Sequence, residues 1–96
     1  MNSKMQYKIV QTDSYLKIAT RFFKKHPDLL EKYSKTVTLL EVNPFHPSLR
    51  LHKLQGKQRE YHSVSIDINY RIIIEFIVKD SEIIPINIGS HEEVYR

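Results

Sequence analysis

Between residues 14 and 26 the apolar side chains recur at helical spacing. Tyr15, Ile18, Ala19, Phe22 and Phe23 fall on one face, and Lys17, Arg21, Lys24 and Lys25 fall on the other. The pattern predicts an amphipathic helix with a basic outer face, for which Thr12, Asp13 and Ser14 offer an N-cap and Pro27 a stop. Pro27-Asp28 opens a second helix carrying Leu29, Leu30, Tyr33, Val37 and Leu40, and Asn43-Pro44 ends it. With almost no loop between them, the two read as a helical hairpin. Ahead of the hairpin, residues 5–11 mix β-branched and aromatic side chains with polar ones, as a short strand does.

After the hairpin the period changes from helical to alternating. Asn43 to Ser48 contains two prolines and reads as a loop, Leu49 to Leu54 is extended, and Gln55-Gly56 turns the chain. From Tyr61 to Ile68 the positions alternate, with Val64, Ile66 and Ile68 on one side and Ser63, Ser65 and Asp67 on the other, which predicts a strand with one buried face. Asp67-Ile68-Asn69 supplies a tight turn. Arg71 to Val78 is apolar on both faces and predicts the central strand; Lys79-Asp80-Ser81 then leads into a last strand from Glu82 to Ile88, ended by Gly89-Ser90. The predicted plan is an α+β fold of order β-α-α-β-β-β, an antiparallel sheet with the helical hairpin packed on one face.

Length and composition narrow what such a fold can do. A chain of 96 residues, 41% hydrophobic, has room for one domain, spanning 1–96, with one core. It contains no cysteine, which removes a disulfide framework, a thiolate nucleophile and any thiolate-ligated zinc. The longest apolar run, Ile72 to Val78, is interrupted by Glu75 and is far short of the ~18 to 20 residues of a membrane-spanning helix. Met1 to Lys4 leads into only a short apolar stretch, so a cytoplasmic protein without a signal peptide is expected. The formal charge of +4 permits a polyanionic partner without requiring one.

The location of the charge is more informative than its sum. Residues 49–59 hold Arg50, Lys53, Lys57 and Arg59, plus His52, and no acid. This is either a solvated loop and strand edge or a groove for phosphates. Arg71 opens the most apolar strand; it must reach solvent at the strand end, hold an anion, or pair with Glu75 on the same face. His91 follows Gly89-Ser90 at the end of the last strand, where an imidazole can serve as acid or base on a rigid rim or lie idle on the surface. Tyr95, four residues on, shares a helical face with it and can also close the core. His26 beside Pro27 suits a helix C-terminus. The spacing of His46, His52 and His62 matches no metal-ligand pattern, and no metal or other cofactor is expected. No Gly-rich phosphate loop, catalytic carboxylate pair or nucleophile elbow occurs.

Three stretches taken together resemble one family. They are Leu51-His52-Lys53-Leu54-Gln55-Gly56, Tyr61 to Ile66 with Asn69-Tyr70-Arg71-Ile72-Ile73, and Ile88-Gly89-Ser90-His91-Glu92-Glu93-Val94-Tyr95. In order and spacing they resemble the RelE/ParE toxin superfamily of type II toxin–antitoxin modules over nearly the whole chain, and in particular its RelE-like messenger-RNA interferases. The resemblance implies a metal-independent endoribonuclease that cleaves mRNA, usually on the ribosome, by attack of a ribose 2′-hydroxyl on the adjacent phosphate. It also implies an acidic, partly disordered antitoxin held in a hetero-oligomer. Carried over residue by residue, His52 and His91 share proton transfer, Arg71 contacts the scissile phosphate, and Tyr95 stacks on a base or orients the nucleotide. Arg50, Lys53, Lys57 and Arg59 line the RNA backbone. Some members carry a histidine on the strand where this chain has Ser65; the nearest imidazole here, His62, alternates to the opposite face. Two alternatives keep the same fold: a ParE-like protein that inhibits DNA gyrase by binding, and an inactive toxin-fold protein that only binds an antitoxin.

Overall fold

The computed structural model describes residues 6–95. Met1 to Lys4, on which the signal-peptide reading rests, Met5 at the start of the predicted first strand, and Arg96 lie outside the described residues. The chain runs β1 (Lys8–Ile9), α1 (Asp13–Lys25), α2 (Leu30–Val42), β2 (His52–Lys53), β3 (His62–Ser65), β4 (Tyr70–Ile77), β5 (Glu82–Ser90) and α3 (His91–Val94). The predicted α+β plan is present, extended by one short strand and a C-terminal helical turn.

Helix α1 begins where the sequence predicts: Thr12 Oγ1 accepts a hydrogen bond from the Tyr15 amide at 3.2 Å. Tyr15, Ala19 and Phe22 are buried on its inner face. The Tyr15 and Tyr33 hydroxyls meet at 2.8 Å and pin α1 to α2. Burial, with Tyr33 alongside, pushes the Tyr15 phenol far up, so the pair stays neutral. Pro27 opens a 3₁₀ turn, Pro27–Leu29, before α2. The inner face of α2 departs from expectation, because Leu30 is exposed whereas Thr36 is buried and donates its hydroxyl proton to the Lys32 carbonyl at 2.9 Å. That bond replaces the water Thr36 loses.

The strand order is β1-β5-β4-β3-β2. β2 to β5 form the predicted antiparallel meander, but β1 pairs parallel with β5, Lys8 opposite Glu82 and Ile9 opposite Ile83. The two-helix connection requires this, since it carries the chain from one outer strand across a face to the other side of the sheet. A bulge interrupts the β4–β5 register between Ile73 and Ile74.

Both faces of the sheet are covered. Beneath α1 and α2 lie Val64, Ile66, Ile72, Ile74, Ile83 and Ile88, the main core, each side chain worth about 1.5–3 kcal/mol on burial. On the other face Ile73 packs with Leu54 and Val94, closed by Tyr61, Ile86 and Tyr95. This second cluster explains why β3 does not have the single buried face its alternation suggests: Ser63 and Ser65, on the polar side, are buried too. β3 also stops at Ser65, and Ile68 is exposed in the following turn, where Asp67 Oδ1 accepts from the amides of Asn69 and Tyr70, both at 2.9 Å. Among the described residues no helix is long and apolar enough to cross a membrane.

Candidate functional site

Strand register assembles the site on the face away from α1 and α2. Residues directly opposite one another share a face. One cross-strand row is His52–Ser63–Ile73–Asn87, and the next is Ser65–Arg71–Gly89. Two residues of strand separate the rows, about 7 Å. His52 and Arg71 therefore share a face of the sheet, two strands and one row apart, about 12 Å between Cα atoms, although 19 positions apart in the sequence.

Helix α3 brings the remaining two residues. It has one turn, too short to form alone, and a reciprocal capping box fixes it: Ser90 Oγ accepts from the Glu93 amide at 3.2 Å, and Glu93 Oε1 accepts from the Ser90 amide at 2.8 Å. The Ser90 amide, with Lys25 and His26 contributing, holds the Glu93 carboxyl below the usual carboxylate range. Gly89 admits this arrangement, since a Cβ there would lie 2.9 Å from Glu93 Oε1. The His91 amide donates to the Asn69 carbonyl at 3.0 Å, and Gln58 Nε2 donates to the Val94 carbonyl at 3.2 Å, tying α3 to the β3–β4 turn and to the 56–58 turn.

The tyrosine is the hub of the result. The Tyr95 hydroxyl donates to Ser63 Oγ at 2.6 Å and lies 3.4 Å from His52 Nε2. The rings of His91 and His52 both pack on Tyr95, with centroids 4.4 Å and 6.3 Å away. His52 Nδ1 is 3.2 Å from the Arg50 carbonyl. A carbonyl oxygen only accepts, so in the neutral ring that makes this bond the proton sits on Nδ1, and Nε2 keeps a lone pair that the Tyr95 hydroxyl, its proton given to Ser63, does not occupy. Arg71 forms no ion pair with Glu75: its Nη1 donates to Ser65 Oγ at 2.9 Å, Ser65 passes its own proton to the Asp67 carbonyl at 3.0 Å, and the buried Nε has no partner among the described residues.

The structure thus brings His52, Arg71, His91 and Tyr95 onto one face, with both imidazoles exposed at its rim and Arg71 and Tyr95 half-buried. The basic segment is spread more widely. Lys57 and Arg59 flank Gln58 on an exposed turn, and Arg59 Nη1 bonds back to the Gly56 carbonyl at 3.3 Å. Arg50 adopts a left-handed conformation, φ 49°, immediately before the site. Lys53 alternates to the opposite face beside His62. There burial, with Lys53 and His52 adding positive charge, pushes His62 below the usual imidazole range. Among the described residues no three His, Asp or Glu side chains converge as a metal-binding group.

Ser63, Ser65, Gln58 and Glu93 are the residues that sequence reasoning missed. Only the Ser90–Glu93 spacing carries a readable signal, that of a capping box. The Ser63–Tyr95 bond gives a direct test. Tyr95→Phe strands the buried Ser63 hydroxyl and is expected to cost about 1–3 kcal/mol in denaturant unfolding, and Ser63→Ala added to it is expected to recover part of the loss. A Tyr95→Phe protein as stable as the parent would show that the bond carries no weight.

No protein-family profile and no curated protein sequence matches the chain. Solved structures do. The fold is similar to that of YafQ from E. coli, with a TM-score of 0.76 at 19% identity over 95% of this chain and 100% of that one. It is equally similar to a chain of the E. coli DinJ–YafQ toxin–antitoxin complex, with a TM-score of 0.75 at 22% identity over 96% and 100%. A YoeB/ParE toxin from Agrobacterium tumefaciens matches with a TM-score of 0.68 at 21% identity over 88% and 98%. The β-α-α-β-β-β order and these full-length superpositions give the chain the RelE-like fold shared by the YafQ and YoeB/ParE structures.

Proposed function

We propose that the protein is the toxin of a type II toxin–antitoxin module and cleaves messenger RNA, on the ribosome, without a metal. One observation carries the reading: among the described residues, a half-buried arginine with no carboxylate partner and an unused Nε–H shares a face of the sheet with two exposed imidazoles grouped on a tyrosine. A guanidinium so placed is a site for an anion, and the imidazoles are the side chains suited to moving protons near neutral pH.

The chemistry follows from the assigned protons. His52 Nε2 takes the proton of the ribose 2′-hydroxyl as O2′ attacks phosphorus. The O2′–P bond forms, Arg71 neutralises the crowded phosphorane, and the P–O5′ bond breaks as protonated His91 supplies a proton to the leaving oxygen. The products are a 2′,3′-cyclic phosphate and a free 5′-hydroxyl. Tyr95 orients both imidazoles, and its exposed ring surface offers a base a place to stack. Arg50, Lys57 and Arg59 line the approach of the RNA backbone, whereas Lys53, expected there from the sequence, faces the other side of the sheet.

The partner reading draws support from the DinJ–YafQ toxin–antitoxin complex and from the YoeB–YefM complex of Staphylococcus aureus, each containing a chain of this fold. An acidic, partly disordered antitoxin fits the basic outer face of α1 and the 50–59 segment. The protein is expected to cut a defined transcript, either on ribosomes kept in magnesium or as free RNA in EDTA, leaving cyclic-phosphate ends, and a 2′-deoxy substitution at the cut position is expected to block it. Intact RNA under both conditions, whether or not DNA supercoiling by gyrase is inhibited, would overturn the proposal.

A further inference from the structure

Two non-glycine residues among those described have a positive φ, Arg50 at 49° and Ser81 at 53°, a region that is costly for any residue with a Cβ. Ser81 shows what the conformation does in this fold. Each of the two closes a 3₁₀ turn, Pro47–Leu49 and Val78–Asp80, and each amide donates back to the first carbonyl of its turn at 3.1 Å. The left-handed step then turns the carbonyl of the closing residue outward. Ser81 presents its carbonyl to the Lys8 amide at 2.8 Å and so ties β1 to the sheet, whereas Arg50 presents its carbonyl to His52 Nδ1 at 3.2 Å.

The surroundings hold the Arg50 backbone in place. Leu49 is buried in the main core, Leu51 is half-buried against it, and His46 Nδ1 accepts from the Ser48 amide at 3.1 Å to fix the start of the turn. The Arg50 side chain is exposed and forms no ion pair among the described residues, so its own packing gives no reason for the strain. Strain kept at an exposed position beside a candidate base points to a use. The His52 ring lies between two oxygens. Nδ1 faces the Arg50 carbonyl, and the Tyr95 hydroxyl, its proton given to Ser63, is 3.4 Å from Nε2. A free neutral imidazole carries its proton on either nitrogen, but a ring bonded to a carbonyl through Nδ1 holds it there. The carbonyl does for His52 what a carboxylate does for the histidine of a hydrolase triad, with a neutral oxygen in place of a charged one.

We infer that Arg50 is a positioning residue for His52: its left-handed backbone aims the carbonyl that keeps the imidazole in the Nδ1–H tautomer and leaves Nε2 to take the proton of the ribose 2′-hydroxyl. The inference rests on the ribonuclease reading and gives Arg50 a role apart from the contact of its side chain with the RNA backbone. The conformation of position 50, more than its charge, then sets the rate of the chemical step.

Two substitutions separate the roles. Arg50→Gly and Arg50→Val both remove the guanidinium, so any weakening of RNA binding by lost charge is common to them. Glycine enters the left-handed region without cost, whereas a β-branched residue is a genuine outlier there. At saturating RNA, Arg50→Val is expected to cleave roughly 2- to 12-fold more slowly in a single turnover than Arg50→Gly, the worth of one ordinary hydrogen bond. The ring itself is read by nitrogen-15 NMR in mildly alkaline buffer, where imidazoles are neutral, with the His52 signals assigned by their absence from His52→Gln. The parent and Arg50→Gly are expected to show Nδ1 protonated, and Arg50→Val to lose that preference. Equal single-turnover rates or equal spectra for the two variants would overturn the role of Arg50 and leave the ribonuclease reading standing. If Arg50→Val does not fold, the other two spectra decide: Nδ1–H in both supports the inference, and Nε2–H in either overturns it. A parent protein that cuts no RNA would overturn the ribonuclease reading together with the inference.

Discussion

His91→Ala is expected to slow RNA cleavage by ~10²- to 10⁴-fold, the usual loss when one positioned acid or base is removed. The fold should be indifferent to the change. His91 is exposed, its amide bond to Asn69 is made by the backbone, and the capping box that forms the turn uses Ser90 and Glu93. Unfolding is therefore expected to stay within about 0.5 kcal/mol of the parent. Single-turnover cleavage beside denaturant unfolding separates the two outcomes. A folded His91→Ala protein that cuts at the parental rate removes His91 from the mechanism.

Arg71→Ala is expected to lower the cleavage rate by ~10²- to 10³-fold, because no other cation occupies the row containing Ser65 and Gly89 to meet the charge developing on phosphorus. Here stability and activity need separate accounting. The substitution removes one hydrogen bond, Nη1 to Ser65 Oγ, and Ser65 keeps its own bond to the Asp67 carbonyl. The expected cost is about 0.5–1.5 kcal/mol. Since Arg71 is not paired with Glu75, Glu75→Ala should leave activity near the parental level. If Arg71→Ala retained full activity, or if Glu75→Ala reproduced its loss, the phosphate role of Arg71 would fail. Arg71→Lys should recover only part of the rate, because a lysine keeps the charge and loses the planar set of donors.

Much of the fold is legible in the sequence because its signals are local. Thr12 before the first helix, Pro27 and Asn43-Pro44 at the helix ends, and Asp67 in the β3–β4 turn all act within four residues of themselves. The misreadings concern groups that meet from far apart. Ser63 and Ser65 alternate as solvent-facing residues should; what buries that face is a turn some thirty positions later, and period-two spacing does not report what lies above a strand. β1 is too short for its residues to indicate a partner, and its parallel pairing follows from where the helical hairpin delivers the chain.

The site divides in the same way. His52, Arg71 and His91 stand out as residue types that require a reason at their positions. Tyr95 reads as an aromatic for stacking or core closure, yet its hydroxyl also bonds Ser63 and lies beside His52, while its ring carries His91. Gln58 carries no signal at all, since its bond to the Val94 carbonyl spans 36 positions. A side chain's partner across such a distance is fixed by packing, not by its neighbours in sequence.

The outermost strands, β1 and β2, have two residues each. A sheet aggregates through its rims, where unpaired amides and carbonyls invite a strand from another molecule, and very short border strands are one way proteins blunt that invitation. At the β2 border little ladder is left open, but β1 covers β5 only at Glu82 and Ile83, so beyond Ile83 the outer side of β5 has no strand partner among the described residues. The eight apolar-rich positions of β4, which would be hazardous at a border, lie between β3 and β5 in the interior of the sheet, whereas self-association by strand pairing is left one open course, along β5 after Ile83.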